Sequence, residues 1–296
     1  MSAIVTRPPA ATQGPEEVLA RAGSNFATGF LCLDAPRRDG MTAIYAFCRA
    51  ADDAVDDAPD LATGRTHLQF WREELAAASA GNAATPVGRA VQAAMQRFGL
   101  PAAPLDALLD GMAMDLEPAG IADEVELHRY CWRVASAVGL ACLPVLGATE
   151  PAAERFADAL GKALQLTNIL RDLRADAEVG RVYAPRSWLA ECAVEAEWLR
   201  GSAPDAVYAP NGPIARLAQR LAMGAREQFA LAHTALHELP RSSRRALVPA
   251  RIMGAVYREL LRRLERRAGE LRGPRTRVPK AKKLWLALQV FAGVRA

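Results

Sequence analysis

Apolar residues recur three and four positions apart along most of the chain. Met41, Ile44, Tyr45 and Cys48 keep this spacing. So do Met253, Val256, Tyr257, Leu260, Leu261 and Leu264, with arginines on the opposite side. A turn of α-helix takes about 3.6 residues, so each set forms one helical face. Alternating apolar and polar runs are hard to find and β-branched clusters are short, which argues against a sheet. Alanine, the strongest intrinsic helix former, is abundant. The pattern predicts helices over 16–33, 37–57, 66–80, 86–99, 101–116, 123–147, 151–176, 212–238, 241–268 and 280–292. Pro36 precedes the second, Gly81-Asn82 follows the third, and Gly99-Leu100-Pro101 divides the fourth from the fifth. Residues 200–213 form the one long Pro/Gly-rich stretch, read as a surface loop because the flanking helices are alike in composition. No fixed-period repeat interrupts the pattern. The expectation is an all-α, single-domain helical bundle over 16–296, with 1–15 as a flexible N-terminal tail.

Two of these helices carry acidic lines. Asp52 and Asp56 are four apart, a turn apart on one face, and Asp53 and Asp57 make a parallel pair. Like charges at this spacing repel by a few tenths of a kcal/mol in water, and by more when buried. They also sit at a helix C-terminus, where the macrodipole disfavours anions. The cluster is either a solvated helix end running into Ala58-Pro59-Asp60 or a site where something compensates the charge. Further on, Asn168, Asp172 and Asp176 recur at i, i+4 and i+8, a line roughly 12 Å long, while Leu166, Ile169, Leu170 and Leu173 take other faces. An exposed polar stripe is one reading and joint use with the first line is the other. Carboxylate and amide oxygens suit Mg²⁺, which binds through one or two carboxylates plus substrate phosphates. Two such faces across a cavity would hold two or three Mg²⁺ around one diphosphate. Arg49, Arg171 and Arg181 lie close in sequence and suit bidentate phosphate contacts.

Composition narrows the partners. Hydrophobic residues make up 51% and charged residues 24%, the balance of a folded globular chain. The net charge is +4 and the pI near 8.9. Arg258, Arg262, Arg263, Arg266 and Arg267 alternate with leucines, so they read as a solvated helix face; no nucleic-acid partner is expected, and anionic lipid headgroups are the secondary reading. Cys32, Cys48, Cys131, Cys142 and Cys192 form no C-x-x-C pair and have no His at ligand spacing. Cys32, Cys48 and Cys142 sit among apolar residues and read as small core residues, and the expectation is a reducing cytoplasm and no structural zinc. His233 and His237 are four apart with no Glu in the zincin position, and are assigned to packing or surface. Tyr45 and Tyr130 read, on pattern alone, as core tyrosines. No stretch approaches the roughly 20 apolar residues of a membrane span, which leaves room only for peripheral membrane contact.

The acidic lines and their neighbours resemble a known family. Ile44-Tyr45-Ala46-Phe47-Cys48-Arg49 leading to Asp52 and Asp56, and Leu166-Thr167-Asn168-Ile169-Leu170-Arg171-Asp172 with Asp176, are similar to the paired motifs of the squalene/phytoene synthases. Gly180 to Pro185, Asp110 to Asp115, and Tyr130-Cys131-Trp132 with Val138-Gly139 extend the likeness over about residues 20–290. From Arg251 to Arg258, and from Arg277 to Leu288, the chain is most similar to members that make presqualene diphosphate for hopanoids.

That resemblance implies an isoprenoid-synthase-type bundle with a central cavity and a prenyltransferase activity. Carried over, Asp52, Asp56, Asn168, Asp172 and Asp176 match metal-binding positions, and the four aspartates with Tyr130 are catalytic. Tyr45, Arg49, Gln165, Arg171 and Tyr257 match the substrate lining, and Arg181 and Tyr183 the diphosphate side. Ser24, Asn25 and Phe26 fall on a further substrate contact, where the family often has Ser-Phe and this chain has Asn25-Phe26. Ala175 stands where Glu is common and Ser136 where Gly is common; neither removes a metal ligand. The implied reaction joins two farnesyl diphosphates with Mg²⁺ to give presqualene diphosphate, with the departing diphosphate as base and NADPH not expected. Downstream squalene-pathway enzymes are the implied partners. The alternatives are a phytoene synthase acting on two geranylgeranyl diphosphates, a squalene or dehydrosqualene synthase, a terpene cyclase, or an all-α scaffold protein of the same family. The segment from Gly180 to Pro185 argues against the cyclase, and the intact ligand positions against the scaffold.

Overall fold

The long periodic stretches fold as helices. The computed structural model describes residues 7–21, 33–117, 119–267 and 270–293. In chain order the helices are α1 (Pro15–Arg21), α2 (Ala35–Asp56), α3 (Leu61–Ser79), α4 (Pro86–Phe98), α5 (Ala103–Met114), α6 (Glu124–Cys131), α7 (Ala137–Leu146), α8 (Pro151–Glu178), α9 (Arg186–Glu191), α10 (Pro213–Glu238), α11 (Arg241–Ala246), α12 (Val248–Arg266) and α13 (Lys280–Phe291). Among the described residues there is no strand. Side chains that accept hydrogen bonds from otherwise orphaned amides start several of them: Asp34 from Arg37 N, Asp60 from Thr63 N, Thr85 from Gly88 N and Asp123 from Glu126 N.

The central helix is α8. It pairs most extensively with α10 and also packs on α7 and α12. Fully buried side chains on α8 and its neighbours, including Leu166, Ile169, Leu217 and Leu221, close one large core. A smaller cluster joins Ala255, Val256 and Leu260 of α12 to Val278, Leu286 and Val290.

The structure departs from the sequence pattern in five places. Residues 123–147 are helical throughout, but Trp132–Ser136 form a π-helical turn between α6 and α7. That turn is wedged between two glycines. A Cβ on Gly161 of α8 would lie 2.5 Å from both N and Cα of Ser136, and one on Gly111 of α5 would lie 2.7 Å from Val134 Cγ1. Ser136 Oγ donates to Asp158 O at 2.7 Å and fixes the contact. The span 241–268 divides at Leu247, because Pro249 fits the first turn of a new helix rather than the middle of an old one. The expected loop 200–213 contains a 3-10 turn at Asp205–Tyr208, and the short α9 stands in a stretch where no helix is predicted. Within residues 1–15, Pro9–Thr12 make a 3-10 turn whose Ala10 and Ala11 are buried against the body.

Candidate active site

Helices α2 and α8 carry the candidate residues, and both change character in the same direction. Met41 of α2 and Phe156, Leu160 and Leu164 of α8 line one small apolar cavity of about 110 Å³, closed also by Leu143, Leu247 and Met253. Further along the same two helices, Asp56 and Asp176 line a second, larger cavity of about 880 Å³. Between these ends stand Tyr45 and Arg49 on α2, and Gln165, Asn168, Arg171 and Asp172 on α8. The fold thus lays an apolar slot at one end of a helix pair and carboxylates at the other.

Arginines neutralise the acidic end. Arg49 Nη1 lies 2.9 Å from Asp52 Oδ2 and its Nη2 lies 2.5 Å from Asp53 Oδ1. Asp53 is buried and also pairs with Arg21 of α1. Arg181 donates to Asp56 Oδ1 at 2.5 Å. Asp172 accepts from Arg171 Nε at 2.9 and 3.0 Å, and bidentately from Arg275 at 2.6 and 2.7 Å. Burial alone would raise the Asp172 carboxyl, but the hydrogen bonds from Arg171 and Arg275 outweigh it and hold it below the usual range. Arg171 in turn interacts with the Tyr257 hydroxyl of α12.

The far wall of the larger cavity holds a tyrosine pair. Tyr130 and Tyr183 stack with centroids 5.0 Å apart and planes 22° apart. Tyr130 Oη donates to Asp115 Oδ2 at 3.4 Å. Burial pushes the Tyr130 hydroxyl well above the tyrosine range, and the charge of Asp115 adds to it. Asp115 itself is raised to about 6 by burial, against the opposing pull of Tyr183 and Arg181.

Of the predicted site residues, Asp56, Asp176, Tyr130, Arg181 and Tyr183 share the larger cavity. Asp52 adjoins it through the charges of Asp56 and Asp115. Gln165 and Asn168 face each other along α8, with Asn168 Nδ2 3.4 Å from Gln165 Oε1. Ser24, Asn25 and Phe26 lie outside the described residues, as does Cys32. Among the described residues no three His, Cys, Asp or Glu groups come together as a metal cluster. Asp56 and Asp172 are paired with separate guanidinium groups, those of Arg181 and Arg275. Three participants had no assigned role in the sequence: Asp115, Arg275 and Arg21. Asp115 ends the matched stretch Asp110 to Asp115, which was its only signal.

The repelling carboxylates set a pH dependence. Asp52 is raised to about 7 by burial and then by Asp56; Asp176 is raised to about 7 by burial and then by Asp172. An unfolded Asp titrates near about 3.9. A group whose pKa is raised by folding stabilises the fold while protonated, and that stability is lost as the pH climbs through its folded value. Asp172 has the opposite sign, but its loss comes below 3.8, outside this window. Metal-stripped protein is therefore expected to lose roughly 2 kcal/mol between about pH 5 and pH 8, after discounting for the solvent screening of half-exposed Asp52. Urea denaturation in EDTA checks this. Added Mg²⁺ should restore the loss at the alkaline end and change little at the acid end; a flat profile counts against the coupling.

The comparisons with known proteins agree on the family. The sequence pattern of squalene/phytoene synthases matches residues 19–282. A presqualene diphosphate synthase of Zymomonas mobilis is 36% identical over 273 residues, spanning 90% of this chain and 89% of that one. A phytoene synthase of Mycobacterium tuberculosis is 34% identical over 246 residues, spanning 83% and 79% respectively. A crystallised dehydrosqualene synthase shares the fold with a TM-score of 0.80 at 26% identity, covering 95% of each chain.

Proposed function

The chain belongs to the squalene/phytoene synthase family of prenyltransferases, and from that premise we propose that it condenses two farnesyl diphosphates to presqualene diphosphate with Mg²⁺. The observation that carries this reading is the shared gradient of α2 and α8, from an apolar slot to a carboxylate-lined cavity. It matches a substrate with an apolar tail and an anionic head. The relative named presqualene diphosphate synthase supports the shorter prenyl chain, as do the bulky Met41, Phe156, Leu247 and Met253 around the slot.

The donor set fits Mg²⁺. Asn168 Oδ1 is a buried carbonyl oxygen with no hydrogen-bond donor among the described residues, on the same helical line as Asp172 and Asp176. The raised Asp52 and Asp176 are carboxylates that a divalent cation would relieve. Asp52, Asp56, Asn168, Asp172 and Asp176 would hold it. When bound, Mg²⁺ supplies Lewis-acid stabilisation of the diphosphate as it leaves.

The chain's own groups do the rest. Arg49, Arg171, Arg181 and Arg275 border the carboxylates and are placed to take phosphate oxygens in their stead. Tyr45 of α2, Gln165 of α8 and Tyr257 of α12 would meet the substrate between head and tail. The allylic C–O bond of one substrate breaks and the diphosphate leaves with the bonding pair. The double bond of the second substrate attacks the allylic cation, and loss of one proton closes the cyclopropane. The apolar slot keeps water from the cation. The departing diphosphate takes that proton, and Asp115, braced by Tyr130 and Tyr183, adds a second carboxylate acceptor on the wall of the larger cavity.

The test is a product assay with Mg²⁺, with and without NADPH, on farnesyl diphosphate and in parallel on geranylgeranyl diphosphate. The expected product is presqualene diphosphate from the shorter substrate, unchanged by NADPH. A cyclopropyl or phytoene product from the longer substrate alone would favour the second reading, phytoene synthase, which the Mycobacterium relative keeps in view.

A further inference from the structure

Helix α13 has two apolar faces, and among the described residues α12 covers one. Leu286 and Val290 are buried against α12. On the other side Leu284, Trp285, Leu288 and Phe291 are exposed at 62, 45, 58 and 56%. At 3.6 residues per turn these four fall within an arc of about 120°. They make a continuous strip, unlike the scattered exposed leucines of any soluble surface.

The strip has a charged border of one sign. No acidic residue follows Glu270 in the sequence, while Arg277, Lys280, Lys282 and Lys283 lead into the helix or form its first turn. Lys282 Nζ lies 4.0 Å from the centroid of the Trp285 ring. Apolar residues with a Trp beside lysines are the composition of a helix lying in a lipid interface. A second copy of the chain is a poor match, because a symmetric pair would bring these basic clusters together. We propose that the Leu284–Phe291 face of α13 docks on an anionic lipid bilayer, with its lysines on the headgroups.

The position has a use for an apolar product. Phe156, Leu160 and Ala250 line the apolar slot and also a second small cavity that reaches Val290 of α13. The slot and the buried face of α13 are thus separated only by that shared wall. Docking itself does not depend on the proposed reaction.

The test is co-sedimentation of the full chain with vesicles of phosphatidylcholine alone, and with vesicles in which one third is phosphatidylglycerol. Binding to the anionic vesicles is expected to be at least tenfold tighter and to weaken as salt is raised. The variant L284S/W285S/L288S/F291S should lose at least tenfold in binding while keeping its melting temperature and its turnover of detergent-dispersed substrate. K280E/K282E should weaken binding to the anionic vesicles only. Absence of binding to either vesicle, or a serine variant that binds like the parent, overturns the proposal. So does a parent dimer that the serine variant turns into a monomer without any vesicle binding, which would make the face an interface between copies.

Discussion

Replacing Asp176 by Asn should lower kcat by roughly 10³-fold, about 4 kcal/mol of transition-state stabilisation, and yet make the metal-free protein more stable at pH 8. The two effects share one cause. Asp176 lies on the wall of the larger cavity, where burial and the charge of Asp172 make its ionised form unfavourable. An amide of the same shape removes that repulsion, and it also removes the charge that would hold Mg²⁺. Asp172 is less suited to the experiment, because Arg171 and Arg275 would both lose their carboxylate partner. Steady-state kinetics and urea denaturation of the same preparation separate the outcomes. A kcat within tenfold of the parent would remove Asp176 from the metal site; lower stability at pH 8 would contradict the electrostatic account.

Gly161→Ala should cost about 3 kcal/mol of folding stability. The added Cβ would meet Ser136 N and Cα at 2.5 Å. Both are backbone atoms of the π-helical turn, and neither can rotate away as a side chain could. The turn begins two residues after Tyr130, so its displacement should also disturb the Tyr130–Tyr183 stack and reduce turnover. Denaturant midpoints measure the first effect, and a loss below about 1 kcal/mol would show that α8 and the turn can separate at little cost.

Most helices were legible because each buries one face, and that need writes a period into the sequence. The π-helical turn was not. One added residue shifts the phase by about 100°, and Val134, Ala135, Ala137 and Val138 are apolar enough to read as helix in either phase. Leu247 was obscured in the same way by the apolar Val248 and Ile252 that follow the break. At the site, the spacing of Asp52, Asp56, Asn168, Asp172 and Asp176 placed them correctly along α2 and α8. Their partners were less legible. Arg49 and Arg171 lie beside the acids in sequence, whereas Arg275 reaches Asp172 from 103 residues away. Asp53 was paired with Asp57 by helical spacing alone; it is instead buried between Arg21 and Arg49, a fact of tertiary packing that no local pattern carries.

The long span between Asp172 and Arg275 also bears on how the protein is made. A ribosome adds about 5–20 residues per second, so Arg275 is joined roughly 5–20 s after the acid it clasps. The first acidic helix is better provided for, since Arg21 precedes it and Arg49 lies within it. During that interval Asp172 and Asp176 face each other across one turn with Arg171 nearby. A nascent chain stalled before Arg275 would carry its principal helices and an acidic patch still open to any cation in the cell.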